Sequence, residues 1–402
     1  MRGKGEGAIY RVPSDKKEKL LYWTGTIELP SPDGKRRRLT IRRKLKADLI
    51  TEIDAKRAEL KTRGDLPTKN QNVEQWFTYW YESIATKKVR PNTLAGYRSV
   101  VFNHIIPAIG TVKLDKLTAT HIRRVHDRIT IDQGLSSTYA LLAHRAMAVS
   151  LKVALQEGRV GRNAANLTDS PRKSSAPREA LDISEALAVL EYVSHDAEMG
   201  ARWATALLTG ARQGEVLGIE LDRVTDVIDL AWQTQRLRLT PVYGVPKVPV
   251  GFEYRHLTGG LYLTRPKTKP RVIPLVEPLK SILERHISAQ QPNRQGLLFS
   301  LNGKPVDPAK DWENWRAILK ATGIEKNVTV HDLRHTAVDL LYAAGVPEDL
   351  ISLIVGHSNV TMTRAYRTNG DMNRLRSAME QFSEQFIPIQ GASPSTPEAI
   401  EK

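Results

Sequence analysis

Residues 330–368 read VHDLRHTAVDLLYAAGVPEDLISLIVGHSNVTMTRAYRT, and they set two histidines (His331, His357), an arginine (Arg334) and a tyrosine (Tyr366) into an otherwise apolar, helical-looking stretch. Polar groups among core residues cost free energy unless they are hydrogen-bonded or used. The stretch is therefore either a well-satisfied core or part of a reactive site, and the remainder of the chain has to decide.

At 402 residues the chain has length for two or three domains, each with its own core. A formal net charge of +16 favours a polyanionic partner, nucleic acid or an acidic membrane surface. No apolar run approaches the roughly 20 residues that span a bilayer. The start, MRGKGEGAIY, is basic but lacks the apolar stretch of a signal peptide. The absence of cysteine removes disulfides and thiolate metal sites, in keeping with a reducing cytosol. Nucleic acid is the favoured partner, and no membrane association is expected.

The fold class is multidomain and mainly α with small β elements. Residues 1–66 are expected to form three strands (8–12, 21–29, 38–42) and a helix over 46–62, with turns at Pro13-Ser14-Asp15 and Pro30-Ser31-Pro32-Asp33-Gly34. This unit holds 18 basic against 10 acidic side chains, half of the whole positive excess. Lys35, Arg36, Arg37, Arg38, Arg42, Arg43 and Lys44 lie at its hairpin and along one strand, and a narrow sheet of this size fits the major groove of DNA. Residues 67–165 switch to a four-helix bundle, with caps at Asn72, Pro91, Thr118 or Thr120 and Ser136, and an end at Gly158. Lys87, Lys88 and Arg90 stand among its basic polar positions, whereas Trp76, Trp80 and Tyr81 are assigned to its core. Residues 166–178 read as a linker. Residues 179–386 form a mixed α+β domain with a β-rich interlude over about 224–275, and residues 387–402 form a disordered tail.

Four local signals in the large domain can carry chemistry. In LLTGARQGEVL (207–217), the small pair Gly210-Ala211 lets backbone approach a helix start beside Arg212, and Glu215, three residues on, can orient its guanidinium. In RPKTKPRVIPL (265–275), an apparent strand–turn–strand carries Lys267 and Lys269 near its tip. His331 and Arg334 are spaced to project from one helical face. Gly356-His357 precedes Tyr366 by nine residues. Each signal alone has an ordinary structural alternative: a surface ion pair, a solvated turn or a satisfied core histidine. His331 and His335 stand four apart as metal ligands do, but no H-E-x-x-H pattern or carboxylate cluster accompanies them. No phosphate-cradling Gly-rich loop occurs.

Arg212, Lys267, His331 with Arg334, His357 and Tyr366, in that order, together with TGARQGEVL, HDLRHT, VGHS and RAYR, resemble the tyrosine recombinases, and most closely the phage integrases of the arm-binding type. The resemblance covers the whole chain. It implies an arm-type DNA-binding unit, a helical core-site-binding unit and a catalytic domain that cleaves and rejoins DNA through a 3′-phosphotyrosine. It implies no cofactor, neither metal nor ATP. Arg212 and Arg334 would grip phosphate oxygens. His357 would donate to the phosphate, and His331 would donate or accept the nucleophile's proton. Tyr366 would attack, Lys267 (or, two residues on, Lys269) would protonate the leaving 5′ oxygen, and Glu215 would support Arg212. Implied partners are double-stranded DNA with core-type and arm-type sites, a homotetramer acting through a Holliday junction, a DNA-bending host factor and an excisionase or directionality factor. The setting would be the cytoplasm of a bacterial host, on its nucleoid, where phage or mobile-element DNA is integrated and excised. The helix over 372–386 is expected to pack on a neighbouring protomer. A type IB topoisomerase shares the catalytic side chains but needs no N-terminal basic unit; a catalytically silent architectural DNA-binding protein would have dispensed with Arg212, Arg334 or Tyr366.

Overall fold

The computed structural model describes residues 9–13, 21–29, 37–63, 71–174, 179–239, 241–242, 245–246, 248–267, 270–290, 293–356 and 369–386. Lys35, Arg36, Lys269, His357, Tyr366 and the segment 387–402 lie outside them. The chain divides into two compact units, Met1–Ser175 with Lys247–Pro249, and Ala176–Pro246 with Val250–Lys402.

In the first unit, β1 (Ile9–Pro13), β2 (Leu21–Leu29) and β3 (Arg37–Arg43) form an antiparallel sheet in chain order. Side chains alternate across such a sheet. Ile27, Leu29 and Ile41 therefore share one face and are covered by Leu49 and Ile53 of α1 (Lys46–Arg63). Arg38 and Arg42 fall on the other face, opposite Glu28 and Thr24, and both are exposed. Arg43 pairs with Glu52 of α1, and Lys44 is exposed just past the strand.

A separate core belongs to the helices that follow. Asn72 caps α2 (Val73–Tyr79) in a capping box with Gln75, an arrangement worth about 1 kcal/mol. Pro91 opens α3 (Pro91–Val100), Thr118 caps α4 (Ala119–Asp127) and Ser136 caps α5 (Ser137–Gln156). Trp76 and Trp80 are buried as expected, and Tyr81 lies edge-on to Phe102. Lys87, Lys88 and Arg90 are exposed. Three helices continue through π-helical turns at Trp80–Ala85, Val101–Ile105 and Arg128–Asp132. A 3.6-residue periodicity does not register the extra residue that such a turn inserts.

In the second unit, α6 (Ile183–Ser194), α7 (Gly200–Thr209) and the short α8 (Gln213–Val216) lead into a set of small sheets. β4 (Val227–Leu230) pairs with β8 (Arg271–Pro274), while β5 (Gln233–Arg236), β7 (Leu261–Thr264) and β6 (Tyr254–Thr258) make another, in the order β5-β7-β6. The segment 265–275 is thus not a self-paired hairpin. Its two ends join different sheets, and Lys267 sits in the connection, where Pro266 and Pro270 cannot donate to a ladder. Helices α9 (Leu279–Ala289), α10 (Pro308–Ala321), α11 (Leu333–Ala343), α12 (Glu348–Val355) and α13 (Asn369–Ser383) complete the unit.

The terminal helix departs from expectation. Leu375, Ala378, Met379, Phe382 and Phe386 are buried in the same core as Leu350, Ile351 and Ile354 of α12. Gln381 donates to the Ala344 carbonyl at 2.6 Å. The apolar side expected to meet a neighbouring protomer closes the core of its own unit, because that core offers an apolar face directly beside it.

Candidate active site

The site is assembled around the end of one helix. α7 terminates at Gly210 in the left-handed region, φ +59°, and a Cβ there would stand 3.0 Å from Ala337 Cβ and from Val355 Cγ1. Glycine alone satisfies both the backbone angle and the space. The turn makes Arg212 the N-cap of α8. Its backbone N–H donates to Glu215 Oε2 at 3.0 Å, and its Nη1 donates to Oε1 at 2.8 Å. Glu215 is fully buried. Burial works to raise the Glu215 pKa, but Arg271 and then Arg212 outweigh it and hold the carboxyl below its usual range.

Arg271, the first residue of β8, donates from Nη2 to Glu215 Oε2 at 2.9 Å and from Nε to the Ile354 carbonyl at 2.9 Å. Arg334, in the first turn of α11, donates from Nη1 to Gly210 O at 3.2 Å and also to Val355 O. Arg212 donates from Nη2 to Gly356 O at 3.4 Å. Three consecutive carbonyls at the end of α12 thus each receive a guanidinium from a different element. Exposed carbonyls at the negative pole of a helix attract cations in this way. Gly356 ends the helix at φ +72°, and His357 is the next residue.

Arg334 is 4% exposed. Burial, followed by the charges of Arg212 and Arg271, lowers its pKa to about 9, so it remains cationic at neutral pH. Among the described residues, Nη2 of Arg334 and Nη1 of Arg271 are buried donors without a hydrogen-bond partner. Three cations around one carboxylate, with donors unspent, form a receptor for an anion.

His331 lies in the turn before α11 rather than on the helix. Asp332 fixes that turn by accepting from Thr329 N at 2.9 Å and Thr329 Oγ1 at 2.6 Å. His331 is exposed, and its imidazole stands at right angles to that of His335, with ring centroids 5.6 Å apart. Partial burial, then the charges of His335 and Arg334, lowers the His331 pKa. Lys267 is exposed.

The structure therefore brings Arg212, Glu215 and Arg334 together with His331 within range of their charges; Lys269, His357 and Tyr366 fall outside the described residues. Arg271 is the member that reading the sequence missed. It stands inside RPKTKPRVIPL, but its carboxylate partner is 56 positions away and no local spacing announces it.

Residues 179–372 match the phage integrase family, and residues 72–129 match the N-terminal SAM-like domain of phage integrases. An integrase of Saccharopolyspora erythraea is 28% identical over 86% of this chain and 90% of the relative. The tyrosine recombinase XerD of Corynebacterium glutamicum is 23% identical over 71% of this chain and 91% of the relative. The fold is shared with the Tn1549 transposon integrase in complex with a circular intermediate DNA, with a TM-score of 0.60, 21% identity, and coverage of 77% of this chain and 99% of that one. It is shared too with a lambda integrase tetramer bound to a Holliday junction, with a TM-score of 0.55, 17% identity, and coverage of 89% and 93%. The two matched domains account between them for more than half of the sequence, and they include the turn that places Arg212 and the helix end that gathers the arginines: the chain belongs to the phage integrase family of tyrosine recombinases, enzymes that cleave and rejoin DNA strands.

Proposed function

We propose that this chain is an integrase that recombines specific DNA sites through a 3′-phosphotyrosine formed by Tyr366. The observation that carries the reading is the convergence of Arg212 and Arg334 on the helix end before His357, with two buried guanidinium donors still unpartnered among the described residues. Two fixed forks suit the non-bridging oxygens of a scissile phosphate and stabilise the charge that develops there. Tyr366 attacks phosphorus, its oxygen forming the new P–O bond as the phenolic proton leaves to His331 or solvent. The 5′ oxygen departs with a proton from Lys267, or from Lys269 in the alternative register. His357 donates to the phosphate. Attack by a partner strand's 5′-hydroxyl reverses the step and releases Tyr366, so the phosphodiester is conserved and no ATP is consumed.

The DNA contacts are assigned to two surfaces. The exposed Arg38, Arg42, Arg43 and Lys44, with Lys35, Arg36 and Arg37, read arm-type sites, and Lys87, Lys88 and Arg90 contact core-type sites. A homotetramer on two DNA sites, a DNA-bending host factor, a directionality factor and the cytoplasm of a bacterial host complete the reading. The lambda integrase tetramer on a Holliday junction and the bacterial relatives support it by likeness. Domain boundaries at 66, 165, 178 and 386 belong to the same proposal.

The test is covalent capture on a nicked suicide substrate. Wild type should form a protein–DNA adduct, and Tyr366→Phe should bind the DNA but form none. An adduct with the phenylalanine variant would remove Tyr366 as the nucleophile. Deletion of residues 1–66 should leave core-site cleavage intact and impair integration on a full attachment site; unimpaired integration would overturn the arm-site assignment.

A further inference from the structure

We propose that Arg271 is a positioning residue for strand cleavage, acting on Arg212 through Glu215 and on the approach to His357 through the end of α12. The inference rests on the reaction proposed above. Both oxygens of the Glu215 carboxylate are occupied: Oε1 by Arg212 Nη1, and Oε2 by the Arg212 N–H and by Arg271 Nη2. A carboxylate held by one flexible guanidinium could swing with it. Held from behind by a second one, whose side chain is only 10% exposed against 31% for Arg212, its plane is fixed and so is the fork of Arg212.

The same guanidinium binds the last turn of α12 through Nε to Ile354 O. It also presses on Gly356, where a Cβ would stand 2.9 Å from Arg271 Nη1 and 3.0 Å from Cζ. Arg271 therefore sets where the backbone leaves the helix, one residue before His357. It lies four positions after Lys267 at the start of β8, with its register fixed against Leu230. One side chain thus ties together the three segments that carry Arg212, Lys267 and His357.

A framework role would not select this residue. A buried cation beside Arg334 and Arg212 is opposed by both burial and like charge, and an apolar side chain would fill the same volume without either penalty. The arrangement makes sense where the carboxylate has to be locked and the local potential kept positive.

The experiment is single-turnover cleavage of a nicked duplex carrying the chain's own crossover site, made with either an oxygen or a sulfur at the 5′ leaving position. Full-length Arg271→Gln, Glu215→Gln, the double variant and Arg271→Lys are compared with wild type. Arg271→Gln should slow cleavage about 100-fold, the size of a misplaced reacting group, with a far smaller loss of DNA affinity, most of which comes from phosphate contacts elsewhere. The double variant should lose less than the product of the two single effects, since the Arg271–Glu215 contact is shared while the Arg271–Ile354 contact is not. The sulfur substrate should show the same loss, whereas Lys267→Ala should be rescued by it. Arg271→Lys, which reaches Glu215 or Ile354 but not both, should be intermediate, and it decides the matter if the glutamine variant fails to fold. A wild-type rate in Arg271→Gln, multiplicative effects in the double variant, or rescue by sulfur would each overturn the proposal. An adduct that survives Tyr366→Phe would instead defeat the underlying reaction, whatever Arg271 does.

Discussion

Two buried charge clusters lie one residue apart in the second unit and are built on opposite plans. Arg202 of α7 and Asp311 of α10 form a pair at 2.5 Å, both with fully buried side chains, and Gln213 donates to Asp311 at 2.7 Å. The guanidinium lies 3.7 Å over Trp203, which stacks on Trp315. One cation meets one anion, and the charge closes on itself. Next door, Arg212, Arg271 and Arg334 surround Glu215 alone. Both clusters contain buried polar atoms without partners among the described residues, so orphaned atoms do not tell them apart. Net charge does. A balanced cluster is finished when the chain folds; an unbalanced one is finished only when an anion arrives. Gln213 joins the two, which lets the closed pair brace the turn that presents Arg212.

The largest effect should come from breaking the closed pair. Asp311→Asn leaves Arg202 charged, buried and unpaired, which costs about 3–5 kcal/mol. Urea unfolding of the full chain should show this loss in the second unit. A loss below about 1 kcal/mol would mean that water reaches the pair and that the contrast between the clusters is overstated.

A smaller effect should separate the clusters by their response to anions. Sulfate, compared with chloride at equal ionic strength, should stabilise the second unit by about 1–2 kcal/mol beyond its general salting effect, through binding to the native state alone. Arg334→Met should remove that increment, and Asp311→Asn should keep it. An equal sulfate response in wild type and Arg334→Met would show that the unbalanced cluster does not act as an anion receptor.

How much of this was legible depended on whether the partners are near in sequence. The caps at Asn72, Thr118 and Ser136, the three N-terminal strands and the Arg212–Glu215 pair are set by neighbours within a few positions, and each stands where the residues indicate. Spacing also indicated that His331 and Arg334 belong together, although the structure puts His331 in a turn held by Asp332. What escaped reading has distant partners. Arg271 finds Glu215 across 56 positions, Arg202 finds Asp311 across 109, and the strands flanking Lys267 pair with β4 and β5 rather than with each other. The terminal helix escaped for a related reason: an apolar stripe states that it will be covered, not by which chain.

The smallest effect concerns a third plan, a half-buried pair carrying no charge at all. In the helical part of the first unit, His144 Nδ1 and His126 Nε2 stand 3.2 Å apart between α5 and α4, so one proton serves both rings. Burial, then the neighbouring His144, lowers the His126 pKa to about 4, and burial lowers that of His144. A histidine whose folded pKa lies below its unfolded value of about 6.5 takes up protons more readily when unfolded. Its stabilising contribution is therefore complete above that value and is lost as pH falls toward about 4. Glu215 has the same sign in a different window, because its loss begins only below the ordinary carboxylate pKa of about 4.3. Between about pH 6.5 and 5 the change comes from histidines rather than carboxylates, and the pair, alongside the buried His104 whose pKa burial also lowers, should weaken the helices of the first unit by about 1 kcal/mol once solvent screening is allowed for. The pair titrates as one system, so the readout is the stability difference between wild type and His126→Gln rather than a single-site pKa. Wild type should lose stability across that interval and the variant should lose less. Parallel losses in the two proteins would show that the rings already share a charge at neutral pH, and that this pair follows the plan of the site rather than that of a neutral contact.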